Sequence, residues 1–341
     1  MDFRSKEEIA DYVMLSAQLA SLIEISAGPK PGSVSRMADL PLKRAGLYEH
    51  FLAGAVAIGP AVREAALRGV EAGRGEIRAS EIGLGKCIKQ ALRSVKRWHH
   101  AGDTHSGPVL LFIPLAAAAG KTFAETGGMA IDDLRENVKL ITRATTPQDA
   151  VEVYEIMALV CSPEEIGRVR GERAPDIYNR DASKRLLEKG ISLYDAMKAA
   201  DWDDLSREWV NGMEISFDTG YPTLMEIFEE THDINVAVVH TFLTILSGFK
   251  SGDTCIARWV GLKETEDVRK AVEIGARKVK WISDKARMIL QLGGLRTEEG
   301  REELRRLDEA LRQGGGELYP ATAADLTASS LFIAVLHGLR F

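Results

Sequence analysis

Asp103, Thr104, His105, Ser106 and Gly107 form one short polar run directly ahead of an apolar stretch. At a helix start, these residue types have two chemistries open to them. The free backbone N–H groups of a first turn bind anions, and Asp103 can then ligate Mg²⁺ or steady positive charge on a sugar ring, while His105 donates to phosphate or moves a proton. The plain alternative is a capping cluster in which Asp103 or Thr104 satisfies the turn. Gly252-Asp253-Thr254-Cys255 poses the same choice. Asp253 and Thr254 suit a hard cation or ribose hydroxyls; alternatively, Gly252 ends one helix and Asp253 caps the next. Cys255 reads as a small buried apolar residue, since no base neighbours it.

A third polar run, Gly28-Pro29-Lys30-Pro31-Gly32-Ser33-Val34-Ser35-Arg36, combines stiff prolines with glycines that let backbone approach a ligand. Lys30 and Arg36 can hold phosphate oxygens there, arginine by a planar fork and lysine as a point charge. The competing reading is a proline-rich turn with solvated basic residues. Asp325 enters a strongly apolar C-terminal segment and needs an arginine, a backbone donor or a metal as partner. Tyr221, in Gly220-Tyr221-Pro222, is either a packed aromatic or a base-stacking residue. His99 and His100 read as an exposed helix end. No P-loop, Gly-x-Gly-x-x-Gly, His-Glu-x-x-His or Gly-x-Ser-x-Gly pattern is present, so an ATP site must be assembled from helix termini and loops.

The elements that carry these runs read as helices, and the fold class as all-α: a compact multi-helix, bundle-like domain. Ile9, Val13, Ser16, Ala20 and Ile23 recur at spacings of three and four, as do Phe51, Ala55, Ile58, Val62 and Ala65, and Val279, Ile282, Ala286 and Ile289. Aromatic residues make up only 6%, and blocks such as Leu115 to Ala119 favour close helix packing. Gly28-Pro29 ends the first helix, Thr146-Pro147-Gln148-Asp149 starts another, and Gly293-Gly294 closes one before Thr297 caps the next. Gly314-Gly315-Gly316 is a flexible joint before the last helix near Pro320. No firm boundary interrupts residues 1–341, although 162–201 is more charged and reads as a peripheral helical insertion. A net charge of −6 argues against nucleic-acid binding driven by bulk charge. Three cysteines without Cys-x-x-Cys spacing fit a reducing cytoplasm. The charged N-terminus lacks the apolar core of a signal peptide. Ala101–Gly120 contains Asp103 and His105 and so reads as a core helix, not a membrane span. Trp202, Trp209, Trp259 and Trp281 on a helical protein suit a homodimer.

Taken in order, the loops resemble the triphosphoribosyl-dephospho-CoA synthase family. The family's Pro-Lys-Pro-Gly-x-Val-x-Arg loop is matched by Pro29–Gly32, Val34 and Arg36, and its Thr-His-x-Gly loop by Thr104, His105 and Gly107. Gly-Tyr-Pro is matched at 220–222, Gly-Asp-Thr at 252–254, Gly-Gly-x-Arg-Thr at 293–297, and Pro-x-x-x-Ala-Asp-Leu at 320–326. The chain departs from the family at Ser35 (usually Asp), Asp103 (Asn), Ser106 (Lys) and Cys255 (Asn). Met37–Gly46 replaces a Gly-Ala-His segment.

The resemblance implies an all-α transferase that moves the 5-triphosphoribosyl group of ATP to dephospho-CoA and releases adenine, with Mg²⁺ accompanying ATP. Breaking an N-glycosidic bond builds positive charge at C1′. By the chemistry such a reaction needs, Asp103, His105 and Asp253 are the expected catalytic residues. Lys30, Gly32, Arg36, Thr104, Gly107, Thr254 and Arg258 are expected to hold ATP, Tyr221 and Asp325 the substrate, and Asp103 and Asp253 the Mg²⁺. Two other outcomes stay open: phosphoribosyl transfer from ATP to another cofactor precursor such as a one-carbon carrier, and N-glycosidic hydrolysis like that of ADP-ribosylglycohydrolases. No nucleic-acid or membrane partner is expected.

Overall fold

The computed structural model describes residues 5–36, 47–170, 173–250, 252–314 and 316–341. The replacement segment Met37–Gly46 and Gly315 of the glycine joint lie outside the described residues. Helices run in the order α1 (Lys6–Ser26), α2 (Tyr48–Ala57), α3 (Gly59–Gly73), α4 (Leu84–Trp98), α5 (Ser106–Thr126), α6 (Ile131–Arg143), α7 (Pro147–Val160) and α8 (Pro163–Ile166). They continue as α9 (Ala182–Lys189), α10 (Leu193–Ala199), α11 (Asp204–Asn211), α12 (Tyr221–Thr231), α13 (Ile234–Gly248), α14 (Thr254–Leu262), α15 (Val268–Gln291), α16 (Glu298–Gln313) and α17 (Ala321–Leu336). The described residues form no strand; a lone bridge joins Arg168 to Asp267. The fold is all-α.

Local chemistry explains most helix limits. α1 stops at Ser26, ahead of the two prolines. Thr146 and Asp149 form a reciprocal cap at α7: the Thr146 hydroxyl accepts from Asp149 N at 3.2 Å, and the Asp149 carboxylate accepts from Thr146 N at 2.8 Å. The periodic run from Phe51 to Ala65 is not one helix. It breaks at Ile58, because Pro60 has no N–H to continue the ladder and the chain restarts as α3.

α5 is the central element, and Leu111, Phe112, Ile113 and Leu115–Ala119 are fully buried on it. By length and composition it could cross a membrane, yet 89% of that window is enclosed by the fold. α3 crosses it almost backbone to backbone. A Cβ on Gly69 would lie 1.9 Å from the Ala117 carbonyl oxygen, and one on Gly120 would lie 2.1 Å from that of Ala66. α14 and α15 repeat the device: a Cβ on Gly275 would lie 1.8 Å from the Ala257 carbonyl oxygen, and one on Gly261 would lie 1.8 Å from that of Ala271. These contacts require glycine because carbonyl oxygens in a helix cannot retreat. Gly275→Ala is expected to cost about 1–3 kcal/mol by overpacking and to lower Tm by several degrees in a calorimetric scan. An unchanged Tm would show that the α14–α15 crossing is looser than described.

The tryptophans are used internally more than at the surface. Trp209 is 1% exposed, and its indole N–H donates to the Leu110 carbonyl at 2.9 Å. Trp202 and Trp259 line a cavity, which leaves Trp281 as the exposed member of the four expected at a dimer face.

Candidate active site

A cavity of about 880 Å³ opens where the loop before α5, the 162–201 segment, and the starts of α11, α14 and α17 meet. That volume is in the range of sites that enclose a nucleotide-sized ligand. Its polar wall is assembled from parts distant in sequence: Asp103, Thr104 and Gly107 beside α5, Asp203 ahead of α11, Arg258 on α14 and Asp325 just past the first turn of α17.

Asp103 satisfies both expectations at once. One carboxylate oxygen accepts from His105 N at 3.2 Å and Ser106 N at 2.9 Å, closing the start of α5. The other accepts from the Ser106 hydroxyl and lies 3.8 Å from the Cys161 sulfur on the cavity wall. Arg258 extends from α14 with Nη1 3.9 Å from Asp203. Its Nε is buried and finds no partner among the described residues. Burial opposes the Arg258 charge, but Cys255 and Asp203 beside it hold its pKa above the ordinary value.

Asp325 faces both this cavity and a smaller chamber of about 20 Å³ behind it. Burial, then the carboxylates of Asp103 and Glu24, push its pKa well above the carboxylate range. It packs directly over Gly107, where a Cβ would lie 1.9 Å from an Asp325 oxygen. The glycine is therefore required for the carboxylate to occupy its place. The small chamber is bounded by Ser21, Glu24, Thr104, His105 and Tyr319 as well, and has room for about one water.

The structure thus brings Asp103, Thr104, Gly107, Arg258 and Asp325 together, and leaves the other expected residues elsewhere. His105 borders only the small chamber. It is 2% exposed, between Thr104 Oγ1 at 2.9 Å and Ser21 Oγ at 3.4 Å. Burial, then His99, lowers its pKa to about 3, so it is neutral and cannot serve as a cationic phosphate donor at working pH. Its ring NMR shifts are expected to show no inflection between pH 5 and 8; a titration there would overturn this account. His99 is not an exposed helix end: it is buried against Thr104 Oγ1 at 2.9 Å, beside His50.

Lys30 is buried at 1% exposure, with its ammonium held by the Glu24 carboxylate and backbone carbonyl, so it fixes the end of α1 and does not reach phosphate. Gly32 occupies a turn with φ of 70°, its N–H donating to Asp308 at 2.8 Å, and Arg36 is exposed off the cavity wall. Asp253 is 1% exposed and does not border the cavity. One of its oxygens accepts from Cys255 N at 2.9 Å and Ile256 N at 3.2 Å, and the other from Ala323 N at 2.9 Å. It is a cap shared by α14 and α17, with both oxygens engaged by backbone donors. Thr254 donates to Asp204, and the Tyr221 hydroxyl meets His337 Nδ1 at 2.7 Å on another part of the molecule.

The residues overlooked in the sequence come from 162–203 and α14–α15: Arg170, Arg173, Trp202, Asp203, Trp259 and Arg269 all line the cavity. The charged, less apolar character of 162–201 was the available signal. That segment supplies part of the cavity wall.

Over residues 10–340 the sequence matches the family model for ATP:dephospho-CoA triphosphoribosyl transferase. No curated protein matches significantly. Among solved structures, the fold is similar to a crystal structure from Archaeoglobus fulgidus, described as a candidate triphosphoribosyl-dephospho-CoA synthase. The TM-score is 0.55 at 26% identity, covering 85% of this chain and 100% of that one.

Proposed function

The chain belongs to the ATP:dephospho-CoA triphosphoribosyl transferase family, and from that premise we propose how its cavity performs the reaction. The triphosphoribosyl group of ATP moves to dephospho-CoA. The C1′–N bond of ATP breaks with its electron pair going to adenine. A hydroxyl oxygen of the acceptor bonds to C1′, and the proton it loses ends on the departing adenine. Positive charge accumulates at C1′ in between, as in glycoside hydrolysis.

The observation that carries this reading is the convergence of Asp103 and Asp325 on one nucleotide-sized cavity that also holds Arg258. A fixed carboxylate in a partly dehydrated wall stabilises a cationic sugar far more than water does; Asp325, which burial keeps protonated, ionises only as positive charge builds beside it. Arg258, with five planar donors and an unpartnered buried Nε, grips triphosphate oxygens. Gly107 leaves open the space that the Asp325 carboxylate occupies. Asp253 positions the site by tying α14, which carries Arg258, to α17, which carries Asp325.

The donor set also suits Mg²⁺. Asp103, Asp203 and Asp325 offer hard oxygens to one cavity. Among the described residues no group of three or more His, Cys, Asp or Glu side chains is placed to hold a metal ion. Mg²⁺ usually takes one or two carboxylates plus substrate phosphates and water, so one or two of these carboxylates would hold an ion that arrives with the nucleotide. When bound, the ion supplies charge neutralisation for the triphosphate. We place the enzyme in the cytoplasm, a reading supported by three buried free thiols.

The test is adenine release from Mg-ATP, followed by chromatography with and without dephospho-CoA. Adenine formed only with the acceptor, together with a product heavier by the triphosphoribosyl mass, supports the reading. Adenine formed without it redirects the search to water or another cofactor precursor as acceptor. No adenine in either case overturns it.

A further inference from the structure

The reaction joins two nucleotides, and the carboxylate end of the cavity accounts for only one of them. The donor's adenine is bonded to C1′, so it must lie where Asp103 and Asp325 act. The acceptor needs a second adenine site, within a nucleoside's reach of the first. One group of cavity-lining residues has the chemistry for it. The guanidinium of Arg269 lies over the Trp202 ring, 4.8 Å from its centroid. Asp201, the residue before Trp202, holds Arg269 at 2.6 Å and stands 3.9 Å from Arg173. Arg170, at 3.8 Å from Glu266, completes the set. The three arginines are 71%, 78% and 52% exposed at residues 170, 173 and 269, and all of them border the cavity together with Trp202.

We propose that Trp202, backed by Arg269 and flanked by Arg170 and Arg173, is the recognition shelf for the adenine and diphosphate of the acceptor. This rests on the transferase reading above. An indole with a cation on one face offers the other face to a purine, and base–aromatic stacking is an affinity device tolerant of detail. Each guanidinium has five donors, and the loose pairs of Arg170 and Arg173 with carboxylates leave most of them available to a diphosphate. The register also fits. Trp202 is followed directly by Asp203, which stands 3.9 Å from Arg258 at the inner end. The shelf and the carboxylates of Asp103, Asp203 and Asp325 thus border one cavity. The competing occupant of the arginines is the donor's triphosphate, and the experiment separates the two.

Calorimetric titration of dephospho-CoA into the full-length protein without ATP reads the shelf directly. Steady-state KM values for ATP and for dephospho-CoA read it in turnover. Trp202→Ala is expected to weaken dephospho-CoA binding about tenfold or more while Trp202→Phe retains most of it. KM for ATP stays within about twofold of wild type in both variants, since only acceptor binding is removed. Arg173→Met, at an exposed position outside the core, is expected to weaken the acceptor and not ATP. Unchanged acceptor affinity in folded Trp202→Ala and Arg173→Met overturns the proposal, as does a parallel rise in KM for ATP. So does a wild-type protein that does not bind dephospho-CoA. A wild-type protein that binds dephospho-CoA but releases no adenine overturns the transfer reading alone, and the variants' binding constants still decide the shelf.

Discussion

Asp325→Asn is expected to lower kcat by a factor on the order of 100 to 1,000, the usual effect of removing one preorganised group that stabilises charge developing in the transition state. The fold should survive intact. Asn has the shape of Asp, and the wild-type carboxylate is a burden to the native state: burial and the neighbouring Asp103 and Glu24 carboxylates raise its pKa well above the usual range. A group whose folded pKa is raised in this way destabilises the native state as pH rises past its unfolded value. The neutral amide removes that penalty, so Tm at pH 8 should stay level or increase. Loss of activity with a rise in Tm is the signature of a functional carboxylate; a fall in both together would make Asp325 a structural residue and undo the mechanism. Gly107→Ala approaches the same group from the opposite side. Its methyl would meet Asp325 at 1.9 Å and push the carboxylate aside, and a displacement of about 1 Å at a reacting centre costs on the order of 100-fold.

Asp253→Ala is expected to have the largest effect on stability. Two backbone N–H groups, those of Ile256 and Ala323, lose their acceptor at once, while Cys255 N keeps Thr322 Oγ1 at 3.2 Å. Each buried donor left unpaired costs about 1–3 kcal/mol, although partial re-pairing with water reduces the sum, so a net loss of about 3 kcal/mol is a reasonable expectation. Denaturant unfolding measures it. Activity should fall as well, because Arg258 and Asp325 are both placed by the helices that this carboxylate joins. Asp253→Asn separates two accounts. Burial raises the Asp253 pKa to about 7 although backbone donors pull against it. The folded state then keeps this proton where the unfolded chain has released it, so this group's contribution to stability falls as pH rises from about 4 to about 7. Asn cannot ionise, and the variant should lack that slope. A variant with unchanged stability and no turnover would instead make Asp253 a participant in the chemistry.

The helical character of the chain was legible from its periodicity, and several helix ends from local chemistry alone. Thr146-Pro147 and Gly28-Pro29 mark limits whatever surrounds them, because proline removes a donor and a capping oxygen supplies an acceptor. The ordered loops also identified the family, and five of the expected residues, Asp103, Thr104, Gly107, Arg258 and Asp325, do meet on one cavity. The break at Ile58 shows the limit of periodicity, which records the buried face and is blind to the missing N–H of Pro60.

Which polar residues face a ligand was decided by tertiary structure. Asp103 and Asp253 occupy equivalent places at helix starts and both accept from first-turn N–H groups. Asp103 keeps an oxygen on the cavity wall, whereas the N-terminus of α17, remote in sequence, takes the remaining oxygen of Asp253. Lys30 faces inward because Glu24 on the preceding turn of α1 neutralises it there. Arg269 and Trp202 become one shelf only because α15 returns past the start of α11. Sequence fixes what each backbone and side chain can donate or accept over a few residues; the partners that use up those capacities arrive from other elements, so the residues left free to meet a substrate are settled only once the helices have packed.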